Sequence, residues 1–222
     1  MPSRRVKLSL VVIALSLIAG LVGITAYWAF VLQVVRVPTG AMANTIIPGD
    51  HLIVKKRFFG TIERGDIIVF RYPEDRTTSY IARVIGLPGE SIHIRDTRIL
   101  IDSSELQEQR VFVERHDFNT GLLKELWTEG NGPYRVFYHP RPDDESPPGE
   151  TPYATTEPYT VPAEHYFMLG DNRDNSEDSR FRGPIARKEI VGKAETIYFS
   201  EGRQDASDEP EVRWNRIFER VK

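Results

Sequence analysis

The chain of 222 residues has no cysteine, which excludes disulfides, thiolate nucleophiles and thiolate metal sites. It has no P-loop, no glycine-rich dinucleotide fingerprint and no metal-ligand spacing, so no cofactor and no metal are expected. The five histidines, His51, His93, His116, His139 and His165, are scattered, and none anchors a triad pattern. A strong charge of either sign is also missing. A net charge of -3 gives no reason to invoke nucleic acid. No internal repeat is present.

What stands out instead is one long apolar run. Residues 8–32 carry no formal charge, and about 20 such residues suffice to cross the hydrocarbon core. A cleaved signal peptide would have a shorter apolar region, about 7–15 residues. The run therefore reads as a retained single-pass anchor. Arg4, Arg5 and Lys7 precede it and place the N-terminus in the cytoplasm, while Tyr27 and Trp28 suit the far interface. The expected location is the cell (inner or plasma) membrane, with the lipid bilayer as a partner and the main domain extracytoplasmic.

After the anchor the pattern is that of strands. His51-Leu52-Ile53-Val54-Lys55, Asp66-Ile67-Ile68-Val69-Phe70 and Ser91-Ile92-His93-Ile94 are short and rich in β-branched residues, and turn signals such as Pro48-Gly49-Asp50 bound them. Thr160-Val161, Tyr166-Phe167-Met168-Leu169 and Glu195-Thr196-Ile197-Tyr198-Phe199 continue the series. The expected fold is mostly β, an antiparallel sandwich or partly open barrel. Residues 1–35 form the cytoplasmic tip and anchor. Residues 36–102 and 160–222 form the β core, and residues 103–159 an inserted subdomain of strands and loops. Within that insertion, residues 140–158 are crowded with proline and acids and read as a solvated loop, as do the acidic residues 201–211. Trp214, Ile217, Phe218 and Val221, with Arg213, Arg216, Arg220 and Lys222 among them, have the spacing of a two-turn amphipathic helix, docked on the sheet or on anionic lipid. Lys55, Lys56 and Arg83 read as solvated or lipid-proximal charges.

Three segments carry the chemistry. They are Pro38-Thr39-Gly40-Ala41-Met42, then Tyr80-Ile81-Ala82-Arg83-Val84-Ile85-Gly86-Leu87-Pro88-Gly89-Glu90, then Gly170-Asp171-Asn172-Arg173-Asp174-Asn175-Ser176-Glu177-Asp178-Ser179-Arg180. In this order behind an anchor, they resemble the bacterial type I signal peptidases, serine endopeptidases with a Ser–Lys dyad. The family's first segment reads P-S-G-S-M, and its second serine is the nucleophile. Its second segment reads K-R-V-x-G-x-P-G-D, and the lysine is the general base. Here Ala41 holds the nucleophile position and Ala82 the base position. A methyl group can neither attack a carbonyl nor accept a proton.

The resemblance implies further roles. Ser176 maps onto the hydroxyl that orients the lysine, and Asp178 with Arg180 onto an ion pair in the wall of the site. Thr39 and the backbone N–H of Ala41 map onto the oxyanion donors. Met42, Ile81 and Val84 are candidates for the apolar floor under a bound peptide, although each is also an ordinary core residue type. Asn44 departs from the family's usual proline. Dense Asp, Asn and Arg in the last segment also build turns and salt bridges that serve folding alone. The implied reaction is removal of signal peptides from exported preproteins, with small side chains read at the first and third positions before the cut. With both dyad positions replaced, no useful endopeptidase activity is expected. The partners are then signal peptides or an active signal peptidase. The alternative is an active peptidase, inactivated here by engineering or working through a relocated dyad.

Overall fold

The computed structural model describes residues 4–56, 60–114, 123–140, 157–202 and 209–221, with side chains from residue 13 onward. Helix α1 (Arg4–Val31) runs without a break into strand β1 (Leu32–Arg36). Its segment Ile13–Val31 has a mean hydropathy of 1.9, is long and apolar enough to cross a membrane, and has no part buried against the rest of the chain. Lys56 closes its C-terminal end. The Lys56 backbone N–H donates to the Val31 carbonyl at 2.8 Å and its ammonium donates to the Ala29 carbonyl at 3.0 Å. The last carbonyls of a helix lack intrahelical donors and attract a cation, so one lysine meets both needs.

The remainder is strand-rich. β2 (Asp50–Lys55), β3 (Ile67–Tyr72) and β4 (Asp75–Gly86) are followed by β5 (Ser91–Arg95), β6 (Arg98–Ile101), β7 (Ser104–Glu105) and β8 (Gln109–Val113). Then come β9 (Glu125–Glu129), β10 (Arg135–Tyr138), β11 (Tyr159–Thr160), β12 (His165–Leu169), the one-turn helix α2 (Ser179–Arg182), β13 (Ile185–Ala186), β14 (Ile190–Gly202) and β15 (Glu211–Val212). The largest sheet has the order β1-β2-β14-β3-β4-β12-β13, with β15 on β14. Every pairing in it is antiparallel. Two smaller sheets have the orders β11-β5-β6-β7 and β10-β8-β9, and only the β10–β8 pair among these strands is parallel. The fold is thus mostly antiparallel β with one N-terminal apolar helix, as the sequence implied.

Alternation fills the cores. In β2, Leu52 and Val54 are buried while His51, Ile53 and Lys55 are half-exposed. Leu52 and Val54 meet Met42, Ile46, Val69 and Ile197 in one apolar cluster. The small sheets share a second cluster with the large one, in which Ile92, Ile99 and Val136 pack on Ile85, Phe167 and Leu169.

Two edges of the large sheet matter for the site. β4 pairs with β12 only through residues 83–86, so its residues 75–82 are paired on the β3 side alone. β1 is the terminal strand at the other end of the order.

The structure corrects two expectations. Residues 214–221 are not an amphipathic helix. A single 3-10 turn (Trp214–Arg216) leads into extended chain laid along β14, with the Phe218 N–H donating to the Ile197 carbonyl at 2.7 Å and the Val221 N–H to the Glu195 carbonyl at 3.0 Å. Trp214 and Phe218 are 78% and 77% exposed. Two turns are too short to form a helix unaided, and β14 offers unpaired backbone along this stretch. Arg83 is not a solvated charge either, for it is buried against Asp171. Of the two acidic loops, residues 141–156 and 203–208 lie outside the described residues.

Candidate functional site

Residues 38–47, between β1 and β2, carry Ala41. They are short of regular structure, and the last motif segment supplies several of their hydrogen bonds. The Asn172 N–H donates to the Ala41 carbonyl at 3.0 Å, and the Asn172 side-chain amide to the Gly40 carbonyl at 3.0 Å. The Thr45 hydroxyl donates to Asp171 at 2.6 Å, and the Asp171 N–H points at the Met42 sulfur, 3.4 Å away. Asp171 in turn accepts two bonds from the Arg83 guanidinium, at 2.8 and 2.6 Å. One buried residue, Asp171, therefore ties all three motif segments together, through its N–H to Met42 and its carboxylate to Arg83. An ion pair this deep repays its desolvation only with bidentate geometry and its remaining lone pairs satisfied, and both conditions hold.

Close approach explains Gly170. A Cβ there would lie 2.2 Å from the Ser176 hydroxyl oxygen and 2.6 Å from the Ala41 carbonyl oxygen. Asp178 braces the same turn, accepting from the Gly170 N–H at 3.0 Å and twice from Arg180 at 2.8 Å. Arg173 is buried, donating to the Gly170 carbonyl at 3.1 Å and the Tyr138 hydroxyl at 3.0 Å and pairing with the buried Glu108. Burial works against the Arg173 charge, but the adjacent Glu108 carboxylate outweighs it and raises the guanidinium's pKa.

A cavity of about 550 Å³ opens between residues 35–39 and the half-free edge of β4 at residues 78–82, with Phe70, residues 174–178 and Phe181 completing its lining. Of the residues singled out in the sequence, Thr39, Ala41, Ile81, Ala82, Ser176 and Asp178 border it. Arg180 stands beside Asp178. Met42 and Val84 are not part of the lining and are fully buried in the apolar clusters around it. Arg36, Phe70, Tyr80, Glu177 and Phe181 also border the cavity and were not singled out. Two of these were within reach, since Tyr80 lies two positions from Ala82 on one strand face and Phe70 is its register partner on β3. Ser79, which alternation puts on the opposite face from Ala82, borders the cavity as well.

The lining offers hydroxyls at Thr39, Thr78, Ser79, Tyr80 and Ser176, but no lysine and no histidine among the described residues. Its carboxylates are engaged: Asp178 with Arg180, Glu177 with Arg182, and Asp174 with the His139 N–H at 2.6 Å. Burial first, then the Asp178 carboxylate, pushes the nearby Tyr72 phenol up. Burial and Asp75 do the same for Tyr80, so both stay protonated at neutral pH. No cluster of His, Asp and Glu able to hold a metal occurs among the described residues.

The chain matches the family described as signal peptidase, peptidase S26, over residues 7–199. It is 33% identical over 204 residues to signal peptidase I of Pseudomonas fluorescens, covering 78% of this chain and 66% of that protein. It is 34% identical over 193 residues to signal peptidase I of Rickettsia prowazekii, covering 77% of this chain and 73% of that protein. A crystal structure of a signal peptidase I from Enterococcus faecalis V583 is 26% identical, with a TM-score of 0.37, covering 61% of this chain and 98% of the other. The match thus spans slightly under two thirds of the Pseudomonas relative. The chain belongs to the signal peptidase family, peptidase S26.

Proposed function

We propose that this chain is a non-cleaving member of its family, anchored by α1 with its N-terminus in the cytoplasm, that holds signal peptides of exported preproteins in the cavity between β1 and β4. Amide hydrolysis needs a nucleophile and a base that act as a unit. In a well-studied serine protease, loss of the catalytic residues costs about 10⁶ in turnover. The observation that carries the reading is the lining itself, where Ala41 and Ala82 border one cavity that contains neither lysine nor histidine. The hydroxyls of its lining, at Thr39, Thr78, Ser79, Tyr80 and Ser176, have neither a lysine nor a histidine there to take their proton.

Binding needs less than cleavage. Two strand edges with unsatisfied backbone groups flank the cavity, and an extended peptide can add between them as a strand. The Ala41 N–H and the Thr39 hydroxyl would then donate to its carbonyl. Ile81 would lie under a bound peptide, with Met42 and Val84 backing it. An active signal peptidase at the same membrane is a second partner that such a groove could serve, by receiving or withholding its substrates.

The test uses the full chain purified in detergent and a preprotein with an Ala-x-Ala site. Saturable binding of the signal peptide without processing is the expected result. Cleavage above a control without the protein would overturn the proposal.

A further inference from the structure

We infer, on the basis of the peptide-binding reading, that the groove selects a larger apolar side chain, of the leucine or methionine kind, at the peptide position just before the bond that catalytic relatives cut. In those relatives that position is small. Here Ala41 and Ala82, each with only a methyl group, border one cavity of about 550 Å³.

Ala82 sits in an apolar nest with Phe70, Tyr72, Val84 and Met168, all at most 2% exposed. Ala82 is also part of the cavity lining, together with Ala41, Phe70 and Ser176. The nest cannot fold inward, because its rings brace one another. Phe70 and Tyr72 are 5.3 Å apart, Tyr72 and Tyr80 4.7 Å, and Phe70 and Tyr80 6.0 Å between centroids. The facing wall is equally fixed, since Asn172 holds the Ala41 and Gly40 carbonyls and Thr45 is tied to Asp171. Close-packed interiors gain from every contact made, and an unfilled apolar recess forfeits them. The ligand must therefore supply the missing atoms.

The charges nearby do not ask for a cation. Asp178 and Glu177 already face Arg180 and Arg182. An ammonium brought into the recess would lose its hydration and find those carboxylates occupied. A flexible unbranched or γ-branched hydrocarbon chain fits without that loss.

The experiment measures binding of fluorescently labelled signal peptides to the full chain in detergent, by anisotropy, with Ala, Leu, Met or Lys at the varied position. At about fourfold per buried methylene, Leu and Met should bind tenfold or more tighter than Ala, and Lys no tighter than Ala. Ala82→Met fills the recess from the protein side without adding charge, and should bring the Ala peptide level with or ahead of Leu. An Ala peptide that binds the unaltered chain tightest, or equal binding of all four, overturns the inference while leaving peptide binding intact. A ranking unchanged in a folded Ala82→Met variant overturns it as well. Should that variant not fold, the ranking on the unaltered chain decides alone. If no peptide binds, the peptide-binding reading itself fails and takes this inference with it.

Discussion

Arg216 reaches back across 166 positions to Asp50, donating to its two oxygens at 3.0 and 2.6 Å. Asp50 is wholly buried and Arg216 only 8% exposed. The same carboxylate accepts from the Ile47 N–H at 2.9 Å and the Ser200 hydroxyl at 2.6 Å, while Arg216 also donates to the Thr45 carbonyl at 3.1 Å. The C-terminal strap is therefore fastened to the segment that carries Ala41. Arg216→Leu leaves a buried carboxylate without its counter-charge, and should cost about 3–5 kcal/mol in urea unfolding of the detergent-solubilised protein.

The outward aromatics make a contrasting pair. Trp214 and Phe218 face solvent in the folded chain. Alanine at either should change stability by about 0.5 kcal/mol or less. A docked helix face would instead lose about 3–5 kcal/mol for each, so the unfolding midpoint separates the two arrangements.

Restoring the dyad positions should restore chemistry. Ala41→Ser with Ala82→Lys is expected to process a preprotein visibly on a gel, and either change alone to do little. An amine at position 82 would enter the nest of Phe70, Tyr72 and Met168, where desolvation lowers its pKa. It serves as a base only when neutral, so the double variant's activity should rise with pH through that lowered value.

Tyr134 gives a titration to follow. Burial, with Glu108 adding to it, pushes its phenol up to about 12, and its hydroxyl has no hydrogen-bond partner among the described residues. An unfolded tyrosine ionises near 10. Stability tied to the neutral phenol is thus complete below about pH 10 and is lost as pH rises through about 12. Tyr134→Phe should flatten that alkaline decline, by up to about 3 kcal/mol, with little change at pH 7.

Asn44 replaces a proline of the family pattern and does something that proline could not. Its side chain donates to the Leu123 carbonyl at 2.9 Å and accepts from the Leu123 N–H at 2.6 Å. It thereby binds the segment of Ala41 to the chain just before β9. Asn44→Ala removes both bonds and should destabilise by about 1–3 kcal/mol, read as a shift in the thermal midpoint.

Much of this was legible from residue types and spacing. β2, β3, β5 and β12 fall within two residues of their expected places, because β-branched runs between turn signals have few other uses. The gathering of the 38–42, 80–90 and 170–180 segments followed from the resemblance. β1 was hidden because Leu32 to Arg36 continues the apolar run of the helix with no punctuation. The polar opening of β4, Asp75-Arg76-Thr77-Thr78-Ser79, masked a strand of 12 residues. Arg83 was assigned to solvent because a lone arginine usually goes there. Its burial depends on Asp171, 88 positions away, and no local pattern carries that information. The C-terminal spacing misled for the same reason, since Arg216 turns inward toward a partner that precedes it by most of the chain.

The direct passage of α1 into β1 has a mechanical consequence. Residues 35–39 are both the continuation of that helix and one bank of the cleft, and Lys56 clasps the junction from β2. Where β1 moves with the shaft, a tilt of the shaft changes the width of the cleft. An incoming apolar segment that leans on the helix would thus adjust the opening meant to receive it.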